Sequence, residues 1–128
     1  MIAEPEQWWG CYDTPRDGLF TRESNRHPAK MAVGLCFRII QHGEQRGYWK
    51  KGDTILDPMA GIGTTPICAM AEGYRAVCVE LEEHFHHLLL QNLAHAAARI
   101  HPKHKPALPI RGDARELCAL LSASASKT

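Results

Sequence analysis

Apolar residues recur at helical spacing in two parts of the chain. Between residues 28 and 41 they fall three to four positions apart, which predicts a buried amphipathic helix that closes near Gly43. Residues 83–100 show the same spacing over a longer stretch and predict a long helix with one apolar stripe. The stripe of this second helix consists of Phe85, Leu88, Leu89, Leu93, Ala96 and Ile100.

Shorter apolar runs alternate with these helices and predict strands. Thr54, Ile55 and Leu56 form one such run, and residues 76–79 form a second run that ends at Glu80. The other predicted elements are a helix over 64–71 that ends at Gly73, a third strand over 107–111 and a short helix over 114–121. The order strand, helix, strand, helix predicts an α/β fold with a parallel sheet and right-handed crossovers.

The two ends of the chain lack this periodicity. Residues 1–26 are rich in proline, glycine and aromatic residues, and they predict an irregular N-terminal arm that packs on the domain. Burial of Trp8, Trp9 and Tyr12 is favoured over the alternative, in which these rings stack on nucleic-acid bases. Residues 27–121 are predicted to form the folded domain, and residues 122–128 a frayed polar tail.

Composition narrows the class of protein. The chain has 128 residues, of which 45% are hydrophobic and 23% charged, as expected for one globular domain. Its net charge of +1 gives no overall basic field that would favour nucleic acid. Five dispersed cysteines without a C-x-x-C pair predict a reducing compartment. The absence of a signal segment and of a long apolar run predicts a cytoplasmic protein without membrane contact.

The segment LDPMAGIGTT, residues 56–65, predicts a turn that binds a nucleoside. It lacks the lysine of a P-loop, and Pro66 occupies the third position of the G-x-G-x-x-G fingerprint. Asp57 beside the turn disfavours a pyrophosphate, whereas Glu80 lies 19 residues after Gly61, where a ribose-binding carboxylate is usual. S-adenosylmethionine has a ribose, cationic groups and no phosphate. The alternative is that Asp57 caps the turn and the glycines only permit close packing.

Four blocks in sequence order carry a family resemblance. HPAKM (27–31), DPMAGIGTT (57–65), VELE (79–82) and RGDAREL (111–117) resemble the cofactor-binding half of DNA amino-methyltransferases, which methylate the exocyclic amine of adenine or cytosine. The resemblance covers roughly residues 8–121. It implies a partial Rossmann-like methyltransferase fold with an incomplete sheet, S-adenosyl-L-methionine as cofactor, DNA as partner and a place in restriction and modification.

The resemblance also implies a cofactor site. The methionine end would contact Asp57, the backbone of Ala60, Gly61 and Gly63, and Thr64 in the same turn. Glu80 would accept hydrogen bonds from both ribose hydroxyls, and Leu81 would pack against the adenine. Asp113 would accept from the adenine amine while the Ala114 N–H donates to the ring. His27, Pro28 and Lys30 would close over the methionine carboxylate.

Simpler interpretations exist for several of these residues. Asp113 is also a suitable helix N-cap, Glu80 a solvated strand end, and Lys30 an exposed helix residue. His84 and His87 lie one turn apart, but a solvated helix face is favoured over a metal site because no further ligands complete a set.

The catalytic block of the resembling enzymes, (D/N/S)-P-P-(Y/F/W), does not occur in these 128 residues. No catalytic residue is therefore assigned, and the chain is expected to be inactive alone. By analogy with the family, the first strand would then keep an open apolar edge. We expect self-association, a separate catalytic subunit or marginal stability. The alternatives for function are a non-catalytic binding or assembly module and, less favoured, a methyltransferase acting on small molecules or RNA.

Overall fold

Three parallel strands with helices between them form the centre of the protein in a computed structural model, which describes residues 7–11, 18–26, 30–100 and 104–125. The helices are α1 (Val33–Gln45), α2 (Thr64–Ala71), α3 (Glu83–Ala97) and α4 (Leu117–Ala125). The strands are β1 (Thr54–Asp57), β2 (Arg75–Glu80) and β3 (Leu108–Arg111). Two 3-10 helices cover Glu23–Arg26 and Ala114–Glu116.

The sheet has the order β1-β2-β3, and both pairs of strands are parallel. Asp57 at the end of β1 is level with Cys78, and Glu80 at the end of β2 is level with Arg111. The carboxyl ends of all three strands therefore meet at one edge of the sheet, where ligands of open α/β folds bind. The predicted α/β fold with an incomplete parallel sheet is confirmed.

The core lies between the sheet and helices α1, α2 and α3. Helix α2 supplies much of it, because Ile67, Cys68 and Ala69 have no exposed surface. Leu89 on α3 is equally buried. Burying a large aliphatic side chain stabilises the folded state by about 1.5 to 3 kcal/mol. This burial anchors α2, and with it the turn between β1 and α2, to the core.

Helix α1 differs from the prediction at both ends. It begins at Val33, and Ala32 before it has an extended backbone with φ −63° and ψ 131°. The predicted start at residue 28 is therefore wrong, since residues 30–32 are not helical. At the other end the helix continues through Gly43 to Gln45 and closes at Gly47, which has a φ of 74° and donates its N–H to the Glu44 carbonyl. The Trp49 ring packs directly against Gly43, in the space that a Cβ would occupy.

The N-terminal arm packs only in part. Phe20 is buried, whereas Trp9 is 84% exposed, so core anchoring is wrong for Trp9. Trp8 is half-buried under Arg38, whose guanidinium carbon lies 4.8 Å from the ring centroid. Tyr12 lies outside the described residues. The arm therefore docks through Phe20 and leaves one large ring in solvent.

The last helix reaches further than expected, and the long helix stops earlier. Helix α4 extends to Ala125, where the Ser124 hydroxyl donates to the Leu120 carbonyl at 2.9 Å. The prediction of a frayed tail is wrong for residues 122–125, and residues 126–128 lie outside the described part. Helix α3 ends at Ala97, and the N–H groups of Arg99 and Ile100 both donate to the Ala96 carbonyl.

Two further expectations concern cysteines and membranes. No disulfide joins any of the five cysteines, all of which lie in the described residues, and four of them are buried. The longest described helix, α3, has 15 residues, whereas a span needs about 20 apolar residues. In the part of the chain that the structure describes, no helix is long and apolar enough to cross a bilayer.

Candidate cofactor site

The turn after β1 is held by its own backbone and by β2. The Asp57 Oδ1 atom accepts from the Met59 N–H at 3.1 Å, as an Asx-type turn requires. The Ala60 N–H donates to the Val79 carbonyl at 2.8 Å, which fastens the turn to the neighbouring strand. Asp57 therefore caps the turn, as the simpler interpretation proposed, while its carboxylate keeps acceptor capacity for a ligand.

The two glycines of the turn serve different purposes. Both have positive φ, 56° at Gly61 and 98° at Gly63. A Cβ on Gly63 would lie 2.6 Å from the Leu89 Cδ1 atom, so this glycine permits close packing against α3. Among the described residues, nothing lies within 4 Å of a Cβ built on Gly61. Gly61 thus presents bare backbone to open space, where a ligand can approach closely.

Glu80 is a buried carboxylate with two backbone partners. Its Oε1 atom accepts from the Gly61 N–H at 2.9 Å, and its Oε2 atom accepts from the Glu82 N–H at 2.7 Å. Its residual exposure is 8%, so the interpretation as a solvated strand end is wrong. Each carboxylate oxygen has a second lone pair, which leaves acceptor capacity for ribose hydroxyls.

A cavity of about 140 Å³ opens at the carboxyl end of β1. It brings together five predicted cofactor residues, namely Lys30, Asp57, Ala60, Gly61 and Thr64. The other lining residues are Met31, Met59, Ile62 and Thr65. The cavity therefore has a cationic and an anionic side chain on its wall, next to a backbone turn.

The other predicted residues lie around this cavity or outside the described part. Gly63 is buried behind the turn. Glu80 does not line the cavity, but its carboxylate accepts from the N–H of Gly61, which does. Leu81 is 56% exposed just beyond the end of β2. His27 and Pro28 lie outside the described residues.

Asp113 follows β3 and caps the 3-10 helix Ala114–Glu116. Its Oδ1 atom accepts from the Arg115 N–H at 2.9 Å, and the Arg115 guanidinium donates to both carboxylate oxygens. Hydrogen bonds from Arg115 lower the Asp113 pKa from its ordinary 3.8 to about 2. The N-cap interpretation is therefore correct, and the contact of Asp113 and Ala114 with adenine stays a prediction.

An apolar groove of about 310 Å³ runs along the open edge of β1. Within the described ranges β1 pairs only with β2, so its other edge forms no ladder. The groove shares Met31 and Thr65 with the cofactor cavity, so the two spaces are adjacent. Its remaining lining residues are Cys36, Ile39, Ile40, Trp49, Thr54, Ile55 and Leu56.

Sequence reasoning missed Asn92, which has no exposed surface. Its side chain bonds to Thr21 in the arm and to Ile62 in the turn. The available signal was the position of Asn92, a polar residue between Leu89 and Leu93 on the apolar stripe of α3. Such a position indicates a buried amide, and buried amides almost always have hydrogen-bond partners.

The histidines form no metal site in the described residues, where no group of three or more His, Cys, Asp or Glu side chains could hold an ion. His86 is half-buried, and its pKa is lowered by burial and by the charge of Arg111. A lowered pKa favours the neutral ring at physiological pH.

Comparison with known proteins gives matches to methyltransferases. A family model described as DNA methylase matches residues 3–91. The type II methyltransferase M.MthZI of Methanothermobacter thermautotrophicus is 31% identical over 90 residues, which cover 67% of this chain and 24% of that protein. The type II methyltransferase M2.MboI of Moraxella bovis is 34% identical over 71 residues, covering 56% of this chain and 24% of that protein.

The chain thus spans about a quarter of the length of these two relatives. The range matched by the family model, residues 3–91, includes the glycine turn and Glu80 but ends before β3 and Asp113. Among solved structures, the glycopeptide N-methyltransferase MtfA complexed with sinefungin is similar, with 18% identity and a TM-score of 0.48. This likeness covers 69% of the present chain and 32% of that one.

Proposed function

Because this chain belongs to the DNA methylase family, we propose that its glycine turn binds S-adenosylmethionine for methyl transfer to an adenine or cytosine amine in DNA. The family resemblance is confirmed by the match over residues 3–91, which contains the first three of the four sequence blocks.

The observation that carries the proposal is the cavity with Lys30 and Asp57 on its wall. The methionine end of the cofactor has an ammonium and a carboxylate, so one wall residue of each sign matches it. Pockets for whole ligands of this size measure about 300 to 1,000 Å³, and the cavity measures about 140 Å³. It therefore accommodates the methionine end, and the nucleoside must extend beyond it.

The nucleoside is proposed to extend across the carboxyl ends of β2 and β3. The Glu80 carboxylate is positioned beside the Gly61 amide and would accept from the ribose hydroxyls. Leu81, an exposed apolar side chain, would cover one face of the adenine. Asp113 and the Ala114 N–H would contact its edge. Burying Leu81 under a purine ring would add hydrophobic stabilisation to the complex.

The catalytic motif is proposed to come from further polypeptide whose strand pairs with β1. A parallel strand on this edge would cover the apolar groove and would end beside Asp57, next to the cofactor. This position is supported by Met31 and Thr65, which line both the groove and the cofactor cavity. The aligned segments make up only 24% of each relative, which leaves ample chain in those proteins for such a strand and for contacts with DNA.

Calorimetry with S-adenosylmethionine tests the cofactor proposal. Asp57→Asn and Glu80→Gln are expected to weaken binding about tenfold or more, because each removes a charged hydrogen-bond acceptor worth about 1.5 to 3 kcal/mol. Glu72→Gln is the matched control, since Glu72 lies at the opposite end of α2 and pairs with Lys51. Equal affinity of Asp57→Asn and wild type would contradict the proposal.

A methyl-transfer assay on DNA tests the need for further polypeptide. The 128-residue chain is expected to show no transfer alone. Transfer is expected to appear when a polypeptide carrying the catalytic motif of a type II relative is added. Activity of the chain alone would contradict the assignment, and cofactor binding without transfer in the mixture would favour the non-catalytic module.

A further inference from the structure

Asn92 on α3 joins two segments that are distant in the sequence. Its Oδ1 atom accepts from the Thr21 N–H at 2.7 Å, across 71 residues. Its Nδ2 atom donates to the Ile62 carbonyl at 2.8 Å, across 30 residues. Both ends of the amide are therefore satisfied in a side chain with no exposed surface. An unsatisfied buried amide is costly, so these bonds constrain all three segments together.

The bond to Ile62 acts on the glycine turn. Ile62 lies between Gly61, which lines the cofactor cavity, and Gly63, which packs on α3. Glu80 holds the Gly61 N–H, while Asn92 holds the next carbonyl. The turn is thus fixed by one polar side chain from β2 and another from α3.

The bond to Thr21 connects Asn92 with the segment that leads to Lys30. Thr21 accepts from the Ser24 hydroxyl at 2.8 Å through its carbonyl, and Ser24 has no exposed surface. The next residue, Asn25, accepts from the Lys30 Nζ atom at 2.8 Å. Lys30 in turn lines the cavity. Asn92 is therefore linked to Lys30 by these three hydrogen bonds together with the peptide bond between Ser24 and Asn25.

We propose that Asn92 is a positioning residue for the cofactor, which it does not itself touch. Its amide sets the distance between the glycine turn and the segment that bears Lys30, so docking of the N-terminal arm and cofactor affinity depend on each other. This inference rests on the proposed function. Asparagine is required because one end must accept and the other must donate, and aspartate would direct a carboxylate oxygen at the Ile62 carbonyl.

The test uses Asn92→Asp in the full chain, with Leu93→Ala as the matched control. Leu93 is the next residue on α3, belongs to the hydrophobic core and loses only packing when shortened. The measurements are S-adenosylmethionine affinity by calorimetry and amide hydrogen exchange of residues 19–25 and 60–64, both at temperatures where each variant is folded.

We expect Asn92→Asp to weaken cofactor binding about tenfold and to lose exchange protection in both segments, because each loses its shared anchor. Leu93→Ala is expected to lower the melting temperature while its affinity stays within about twofold of wild type. Equal loss of stability in the two variants with affinity retained in both would overturn the inference and leave the proposed function intact.

Two further measurements separate failure of this inference from failure of the proposed function. If the wild-type chain binds no S-adenosylmethionine, the proposed function fails, and hydrogen exchange of Asn92→Asp alone tests the coupling. Loss of protection confined to residues 19–25 and 60–64 supports the coupling. Equal loss of protection throughout the chain overturns it. If Asn92→Asp does not fold, Thr21→Pro removes the arm's donor without changing α3. Its expected result is lost protection at residues 60–64, and unchanged protection there would contradict the coupling.

Discussion

At the scale of single residues, the two glycines of the cofactor turn separate stability from binding. Gly63 lies against the Leu89 side chain, and Gly61 faces open space beside the cavity. Both backbones have positive φ, which alone costs an alanine about 1 kcal/mol or slightly more. The difference between the two substitutions therefore isolates the surroundings of each residue.

We predict that Gly63→Ala destabilises the protein by about 2 to 4 kcal/mol, since it adds a steric clash to the backbone cost. Gly61→Ala should cost about 1 to 2 kcal/mol and should weaken S-adenosylmethionine binding instead, because its methyl group enters the ligand's space. Urea unfolding and calorimetry measure the two effects. Equal stability of the two variants would show that the Leu89 contact is relieved by repacking.

Asp113 gives a prediction about acid conditions. Its pKa in the folded state, about 2, lies below the ordinary 3.8 because Arg115 donates hydrogen bonds to the carboxylate. A lowered folded pKa contributes stability above the ordinary pKa, and this contribution is lost as the pH falls from about 3.8 toward 2. Arg115→Gln is therefore expected to raise the Asp113 pKa toward 3.8 and to weaken this acid dependence.

Carboxyl carbon chemical shifts, followed by NMR across that pH range, measure the Asp113 pKa directly. Arg111→Gln serves as the control, because Arg111 pairs with Glu83 at 3.9 Å and not with Asp113. An unchanged Asp113 titration in Arg115→Gln would show that the bidentate ion pair does not persist in solution.

At the scale of elements, Trp49 in the following segment packs on the last turns of α1. Trp49 donates from Nε1 to the Ile40 carbonyl at 2.9 Å and lays its ring over Gly43. Glycine inside a helix normally costs about 1 kcal/mol relative to alanine. Here the absence of a side chain allows a tryptophan to pack, which more than offsets that cost.

Gly43→Ala is accordingly expected to destabilise the protein by about 1 to 3 kcal/mol, opposite to the usual effect of alanine in a helix. Gly47→Ala is the control, because nothing described lies within 4 Å of a Cβ there and only its φ of 74° is strained. Trp49 fluorescence should shift to longer wavelength in Gly43→Ala alone, as the ring leaves its site. A stabilised Gly43→Ala variant would contradict this packing.

At the scale of the whole molecule, the open edge of β1 is the main structural liability. An unpaired strand edge beside an apolar groove is a template for association. Leu56 on this edge is 40% exposed, and Ile39 across the groove is 39% exposed. Covering these side chains would remove apolar surface from water in any complex that uses the edge.

We predict that the isolated chain self-associates in a concentration-dependent manner and that Leu56→Lys reduces this association. Light scattering coupled to size-exclusion chromatography measures it. Leu90→Lys is the matched control, because Leu90 on α3 is 42% exposed but does not line the groove. A stable monomer at all concentrations would count against self-association and would weaken the proposed strand pairing.

The sequence by itself determined the order of strands and helices, the position of the glycine turn and the acidic end of β2. These features are local, since side-chain periodicity and turn chemistry depend on neighbours a few residues away. The positions of Asp57 and Glu80 at the ends of β1 and β2 were therefore identifiable without coordinates. So was the family, because four short blocks preserve their order and spacing.

Only the tertiary structure decided how the site is held together. Asn92 bonds to residues 71 and 30 positions away, Glu80 accepts from the amide of Gly61, and the Trp49 ring packs against Gly43 in α1. The exposure of Trp9 and the extension of α4 to Ala125 were likewise visible only in the structure. Such outcomes depend on which distant groups meet when the chain packs, and a local pattern contains no information about those partners.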